Sequence, residues 1–205
     1  LIPDLGLPRR MWAGGALKFH AALQLNQIAT RRTTLLGATR KTGRSGDLGV
    51  VTLRHEILQH GRCMVEDQQD LIYREAASPD APKPQPKPAP TNETLSETRG
   101  FTTTQLFRYS ALTFNGHRIH YDAPYSTEVE GYDGLVVHGP LQSTWMQHLA
   151  HDILGRAANT FTYRGLSPLI CGRPATIEAR ETTEGLELRV RDLENNVVTM
   201  TASAT

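Results

Sequence analysis

The sequence of 205 residues has a formal net charge of +1, and 39% of its residues are hydrophobic. This composition predicts a globular protein with a sizeable core, and the near-neutral charge argues against nucleic acid as a partner. No apolar run reaches the length of a membrane span and no signal-peptide pattern opens the chain, so we expect a cytoplasmic protein. The two cysteines, Cys63 and Cys171, lie far apart without a Cys-x-x-Cys pair, which favours buried free thiols over a disulfide or a zinc site.

The first predicted unit, residues 1–77, is rich in short strand patterns. Strands are predicted near residues 29–36, 49–58 and 70–74, and a polar, glycine-containing turn at residues 40–47 joins the first two as a hairpin. No long helical pattern occurs. We therefore expect a meander of antiparallel strands.

Residues 78–98 carry proline at nearly every second position between Pro79 and Pro90. Such a run forms neither a helix nor a strand ladder, and it buries no apolar surface. It predicts an extended linker that separates the first unit from a second unit, residues 99–205.

The second unit combines a helix signal with four strand signals. Residues 101–111 are consistent with a strand or a short helix, and Gly139-Pro140 then opens a helix with apolar residues at every third or fourth position. Strands follow at residues 160–164, 173–181, 185–192 and 196–204. A buried helix followed by an antiparallel sheet predicts an α+β hot-dog unit, in which the sheet wraps round the helix. The first unit has a similar strand set, and we expect its completing helix upstream of Leu1.

The segment between Asn115 and Gly139 holds residues suited to chemistry on a carbonyl. His120 can accept a proton near neutral pH, and Asn115 can orient a water molecule but cannot act as a base. The backbone N–H of Gly139, at a helix start, can donate to an enolate oxygen. Together these groups fit the addition of water to an α,β-unsaturated thioester, or the reverse dehydration.

Other interpretations of the same residues stay open. A single histidine in a loop is more often a solvated polar residue than a catalyst. His117, His120 and His138 could instead form a zinc site, since three imidazoles suit that metal. Arg118 suits a structural contact or a ligand phosphate better than catalysis.

Three stretches carry a family resemblance. Residues 107–122 read FRYSALTFNGHRIHYD, residues 136–139 read VVHG, and residues 9–15 read RRMWAGG. They resemble the signature of the hydratase 2, or MaoC-like, hot-dog enzymes. Within that family they are similar to the branch of the itaconyl-CoA and mesaconyl-C4-CoA hydratases and the fungal-type mitochondrial 3-hydroxyacyl-thioester dehydratases. The resemblance covers most of the chain and implies a double hot-dog fold with the active site in the C-terminal half.

The resemblance also implies roles for individual residues. His120 falls on the family's catalytic histidine, Gly139 on its oxyanion glycine, and Asn115 on the position of its aspartate. Because an asparagine replaces that aspartate, Asp122 and then Glu130 are the candidates for a missing acid, although both also suit turn and surface positions. The residues expected to contact substrate are Arg118, His117, His138, Tyr121 and Arg44.

The resemblance implies a hydro-lyase that acts on a CoA thioester without a cofactor or a metal. The first hypothesis is hydration of itaconyl-CoA or mesaconyl-C4-CoA to citramalyl-CoA, with Arg118 or Arg44 pairing the substrate carboxylate. The second is a 3-hydroxyacyl-thioester dehydratase of fatty-acid synthesis, which needs an apolar tunnel. The third is a non-catalytic acyl-thioester-binding hot-dog protein, although such a copy would usually lose His120. We expect no nucleic-acid or membrane partner, and a homodimer is left open.

Overall fold

In the part of the chain that the structure describes, nine antiparallel strands form one continuous sheet. The computed structural model describes residues 2–43, 46–75, 88, 90, 92–93 and 95–205. Its elements in chain order are β1 (Arg9–Phe19), β2 (Thr30–Gly43), β3 (Gly46–Gln59), β4 (Arg62–Arg74), β5 (Leu95–Arg99), α1 (Thr103–Thr113), the single helical turns Arg118–His120 and Tyr125–Val129, α2 (Gly139–Leu154), β6 (Thr160–Gly165), β7 (Ala175–Thr182), β8 (Gly185–Asp192) and β9 (Val197–Ala204). The strand order in the described residues is β2-β3-β4-β1-β6-β9-β8-β7-β5.

Strands β1 to β4 form the N-terminal half of the sheet. β2 and β3 pair from Thr30↔Leu58 to Gly43↔Gly46, which confirms the predicted hairpin. In the described part of residues 2–75 no helix occurs, and Val51, Leu53 and Leu71 form a small core. The predicted meander of antiparallel strands is confirmed, while the upstream position of a completing helix stays a prediction.

Helix α2 is the centre of the C-terminal half. It begins at Gly139, with a proline in its first turn, as the sequence predicts. It contacts β6, β7, β8 and β9, and it buries Met146 in a core shared with Phe161, Ile177 and Met200. The predicted strands agree with β6 to β9 to within two residues at each end. A sheet wrapped round one helix is the predicted hot-dog arrangement.

The two halves of the sheet meet where β1 pairs with β6, from Gly14↔Arg164 to Lys18↔Thr160. The ring of Trp12, on β1, stacks on Tyr163 with the two centroids 4.4 Å apart. Because β1 and β6 are far apart in sequence, this pairing brings N-terminal residues to the start of α2. It thereby builds one side of the cleft described below.

The end predicted for the linker differs from the structure. Residues 95–98, assigned to the linker, belong to β5, an edge strand that pairs with β7 from Leu95↔Ala179 to Arg99↔Ala175. Most side chains of β5 are exposed, so no apolar pattern marks the strand in the sequence. Residues 76–87, 89, 91 and 94, which make up most of the predicted linker, lie outside the described residues. The division into two units stays a prediction.

Helix α1 resolves the two alternatives left open for residues 101–111. The hydroxyl of Thr102 accepts from the backbone N–H of Gln105 at 3.2 Å, and Oε1 of Gln105 accepts from the N–H of Thr102 at 2.9 Å. This capping box fixes the start of the helix. Phe114 ends it in the left-handed region, with a φ of 52°, and turns the chain towards Asn115.

Both cysteines are free thiols, as predicted, and both are half-buried. The thiol of Cys171 donates to the carbonyl of Phe101 at 3.1 Å, which ties the loop before β7 to the start of α1. As far as the chain is described, none of its helices has the length and apolarity needed to cross a membrane.

Candidate active site

His120 is held with one ring nitrogen fixed and the other available. It ends the helical turn Arg118–His120 and is 7% exposed. Its Nδ1 lies 2.7 Å from the carbonyl oxygen of Val136. Since a carbonyl can only accept, the proton sits on Nδ1 and the lone pair on Nε2. His120 therefore brings a proton acceptor to the cleft that it lines.

Burial keeps this imidazole neutral. Desolvation lowers the pKa of His120 from 6.5 to about 4; the Val136 carbonyl opposes this change, and the nearby His117 adds to it. A histidine with that pKa is unprotonated throughout the neutral range. It is therefore ready to accept a proton at physiological pH.

Asn115 lines the cleft directly after α1, and its side chain closes a local turn. Its Oδ1 accepts from the backbone N–H of His117 at 3.1 Å. Its Nδ2 has no partner among the described residues, so both amide hydrogens remain for a ligand. The expected role of holding water thus falls to the amide donors, since the oxygen already serves the turn.

Gly139 begins α2 with its backbone against Trp12. Its N–H belongs to the first turn, where no carbonyl of the helix can accept from it. A Cβ at this position would lie 2.7 Å from Cε3 of Trp12, so only glycine fits without displacing the indole. Gly139 lines the cleft, and its N–H at the positive end of the helix dipole suits an oxygen that gains negative charge.

Two of the three histidines of the sequence pattern line the cleft, and the third lies behind them. His117 lines the cleft, with its ring centroid 5.7 Å from that of His120. His138 is fully buried, its ring stacks on His120 with centroids 3.7 Å apart, and it is not part of the cleft lining. The His120 ring thus separates His138 from the cleft, and the substrate contact of His138 stays a prediction.

Two further residues predicted to bind substrate, Arg118 and Tyr121, are not part of the cleft lining. Arg118 pairs with Asp122 at 2.6 Å and lies over the ring of Tyr125, with its guanidinium carbon 4.2 Å from the centroid. Tyr121 donates to the carbonyl of Gly116 at 2.8 Å. These contacts hold both side chains outside the cleft lining. Arg44 lies outside the described residues.

Both acidic candidates are engaged by cations. Hydrogen bonds from Arg118 hold the pKa of Asp122 below its usual range, and Asp122 is not part of the cleft lining. Glu130 lines the cleft but accepts from Nε of Arg9 and from the hydroxyl of Tyr125, both at 3.1 Å. No carboxylate bonds to His120 in the part of the chain that the structure describes.

The described residues give no support to the alternative of a zinc site. Within the described ranges, no group of three or more His, Cys, Asp or Glu side chains is arranged to hold a metal ion. His120 and His138 already use Nδ1 and Nε2 in contacts with Val136 and Ser110. The stacking of their rings also prevents their in-plane lone pairs from converging on one point.

A cleft of about 1310 Å³ runs between the two halves, and its N-terminal side was missed by the sequence reasoning. Arg10 and Trp12 of β1 form part of this side. Burial lowers the pKa of His117; the nearby Glu130 opposes this change, and the positive charges of Arg10 and Arg9 add to it. Arg9 is committed to Glu130, at 3.0 Å, whereas Arg10 has no ion pair among the described residues. Arg10 is therefore an available cation in the cleft, close enough to His117 to affect its pKa.

Comparisons with known proteins find a matching family model and similar sequences. A family model described as hydroxyacyl-thioester dehydratase type 2 matches residues 1–171. The mesaconyl-C(4)-CoA hydratase of Chloroflexus aurantiacus is 41% identical over 193 residues, which cover 93% of this chain and 68% of that protein. The mitochondrial hydroxyacyl-thioester dehydratase type 2 of Schizosaccharomyces pombe is 31% identical over 202 residues, covering 85% of this chain and 65% of that protein. The chain thus spans about two thirds of the length of these two relatives.

A solved structure supports the fold. A Mycobacterium tuberculosis protein with a double hot-dog fold is similar at a TM-score of 0.64 and 16% identity, over 97% of this chain and 75% of that protein. At this identity the likeness bears on the fold alone. Together with the nine-stranded antiparallel sheet, it confirms the predicted double hot-dog fold.

Proposed function

The chain belongs to the hydroxyacyl-thioester dehydratase type 2 family, and from this premise we propose that it adds water to a short enoyl-CoA that bears a free carboxylate. Mesaconyl-C4-CoA, whose hydration gives citramalyl-CoA, fits best. The observation that carries the proposal is the combination, in one cleft, of the neutral His120, the N–H of Gly139 and the uncommitted cation of Arg10. The relative from Chloroflexus aurantiacus supports the same acyl group.

In the proposed reaction, Nε2 of His120 takes a proton from a water molecule whose oxygen accepts from the amide of Asn115. The water oxygen bonds to Cβ while the π electrons of the double bond shift to the thioester oxygen, which accepts from the N–H of Gly139. The imidazolium of His120 then returns the proton to Cα. Because one imidazole takes and returns the proton, H and OH are expected to add to the same face.

The position of the double bond separates two five-carbon substrates. In mesaconyl-C4-CoA the double bond is conjugated with the thioester carbonyl. Attack at Cβ therefore places the negative charge on the thioester oxygen, which accepts from the N–H of Gly139. In itaconyl-CoA a methylene group separates the double bond from the thioester. We therefore expect mesaconyl-C4-CoA to be hydrated directly, and itaconyl-CoA to react only after its double bond has shifted.

A panel of enoyl-CoA thioesters tests the proposal through loss of the enoyl-thioester absorbance. We expect the highest kcat/KM for mesaconyl-C4-CoA, against crotonyl-CoA and a long-chain 2-enoyl-CoA. A dehydratase of longer 3-hydroxyacyl thioesters is the second candidate. The family description favours it, and so does a cleft volume of about 1310 Å³, which exceeds the need of a five-carbon acyl group. If kcat/KM is highest for the long-chain 2-enoyl-CoA, this second candidate is favoured. Saturable binding without turnover would instead favour the non-catalytic acyl-binding protein.

Arg10→Met is expected to raise KM for mesaconyl-C4-CoA by about 10- to 100-fold, because hydrogen bonds to a charged group contribute about 1.5–3 kcal/mol. The carboxylate of this substrate is attached to Cβ, so its cation must lie near His120. For crotonyl-CoA, which lacks the carboxylate, we expect less than about a threefold change. Steady-state kinetics on both substrates measures the difference.

Arg118→Met is the matched comparison for Arg10→Met, because it removes the arginine that the sequence pattern favours. Its pairing with Asp122 outside the cleft lining predicts no substrate-selective change. A selective rise of KM in Arg118→Met instead of Arg10→Met would restore the assignment made from the sequence. Equal losses on both substrates in Arg10→Met would assign that residue to the CoA phosphates.

Gly139→Ala is expected to lower kcat by about 10- to 100-fold, because a shift of about 1 Å in a positioned group has effects of this size. The added methyl meets Cε3 of Trp12 at 2.7 Å and must displace the indole or the start of α2. Thermal unfolding should show a loss of about 1–3 kcal/mol from overpacking. Gly100→Ala is the control, since a Cβ there has no neighbour within 4 Å among the described residues. Native kcat in Gly139→Ala would contradict the oxyanion role.

A further inference from the structure

Beneath His120 lies a buried pair, His138 and Ser110, that has no part in the chemistry described so far. His138 is 0% exposed and Ser110 is 6% exposed. Nε2 of His138 lies 2.8 Å from Oγ of Ser110. The ring of His138 covers one face of the His120 ring, with planes 18° apart. Tyr109 meets His138 edge-on at 4.9 Å between centroids, and His117 is the other titratable ring beside His120.

The hydrogen-bond partners fix the tautomer of His138. Its Nδ1 is buried and has no partner in the described part of the chain. A proton on that nitrogen would be a buried donor without an acceptor, so the proton is placed on Nε2, which donates to Ser110. Burial lowers the pKa of His138 to about 3, and the charges of His120 and His117 oppose its protonation further. His138 therefore faces His120 as an uncharged aromatic surface.

The backbone of His138 joins the base to the oxyanion donor. His138 is the residue before the first turn of α2, with extended backbone angles of φ −57° and ψ 131°, and its peptide bond supplies the N–H of Gly139. Val136, whose carbonyl holds Nδ1 of His120, precedes it by two residues. One short segment thus sets the positions of both the His120 ring and the Gly139 N–H.

We propose that His138, tethered by Ser110, is a positioning residue that fixes the orientation of the His120 ring relative to the N–H of Gly139; this assignment rests on the role of His120 as the base. The stacked ring blocks rotation of the His120 ring and keeps water from its inner face. Without the stacked ring, water would reach His120 and favour its charged form, which raises the pKa of the imidazole.

Three variants and two measurements test this role. The measurements are kcat on mesaconyl-C4-CoA and an NMR titration of the His120 ring, which needs no substrate. His138→Phe keeps the aromatic face, and we expect kcat within about threefold of native and an unchanged titration of His120. His138→Ala should lower kcat by about 10- to 100-fold. It should also move the His120 titration upward, towards 6.5, because water reaches the ring. Ser110→Ala removes only the hydrogen bond to His138. We expect its kcat and its His120 titration to lie between those of the two His138 variants.

Each result supports or overturns the positioning role. A folded His138→Ala protein with native kcat and an unchanged His120 titration would overturn it. Equal losses in His138→Phe and His138→Ala would also overturn it, by giving the imidazole itself a part in proton transfer. If the His138 variants do not fold, native kcat in Ser110→Ala overturns the role, and a loss with a shifted titration supports it. A shifted titration in a protein that hydrates no thioester would support the positioning of His120 and reject only the proposed function.

Discussion

Replacing His120 with alanine is expected to lower kcat by a factor on the order of 10²–10⁴, the range typical of a lost general base. The substitution removes the Nε2 lone pair, which is the proton acceptor that His120 brings to the cleft. Kinetics on mesaconyl-C4-CoA at saturating concentration, with circular dichroism to confirm folding, measures the loss. His148→Ala is the control, because His148 is an exposed histidine on α2. Near-native kcat in His120→Ala would show that another group is the base.

The same variant should also change the acid sensitivity of the fold, which gives a readout independent of substrate. His120 has a pKa of about 4 in the folded protein against 6.5 as its ordinary value, so unfolding takes up a proton between these pH values. Native stability should therefore fall as the pH falls from 6.5 towards 4. His120→Ala lacks this contribution, and its stability should decline less over that window. An equal decline in both proteins would mean that His120 is not held neutral by burial.

The local elements of the fold could be predicted because their signals are local. Gly139-Pro140 followed by apolar residues at helical spacing predicts α2, and alternating patterns between turn residues predict β6 to β9. β5 was missed because Leu95–Arg99 is a short edge strand with little burial, so its place depends on pairing with β7. The start of α1 did carry a signal, the Thr102-x-x-Gln105 capping box, which could have decided between strand and helix.

The residues of the candidate site likewise divide into those with a local sequence signal and those without one. His120, Asn115 and Gly139 lie within one short stretch, so a motif could nominate them together. Arg10 and Trp12 reach the cleft only through the pairing of β1 with β6, a contact between distant parts of the chain that no local pattern specifies. The motif also does not show in which direction a side chain points. His138 and Arg118 flank the cleft residues in sequence, yet backbone geometry buries the first, and an ion pair holds the second outside the lining.

Asn115→Ala is expected to lower kcat by about 10- to 100-fold, since it removes the donors that would hold the attacking water near Nε2 of His120. It also removes the acceptor of the turn to His117 N–H, so the two roles must be separated. Asn115→Ser makes this separation, because a serine hydroxyl can still accept in such a turn but is too short to replace the amide donors. We expect Asn115→Ser to recover stability in thermal unfolding and to remain as slow as Asn115→Ala. Recovery of turnover in Asn115→Ser would reduce the role of Asn115 to the turn, and full activity in Asn115→Ala would exclude it from water binding.

A carboxylate introduced at the same position tests how the site sets its pH dependence. With Asn115 uncharged, kcat/KM should show one acid limb near the pKa of His120, about 4, because only the neutral imidazole accepts a proton. Asn115→Asp places a negative charge near His120, which favours the imidazolium, so the acid limb should move to higher pH. Asp122→Asn should leave the limb where it is, since Asp122 is bound to Arg118 outside the cleft lining. A folded but inactive Asp122→Asn protein would transfer the acid–base partnership from Asn115 and His120 to His120 and Asp122.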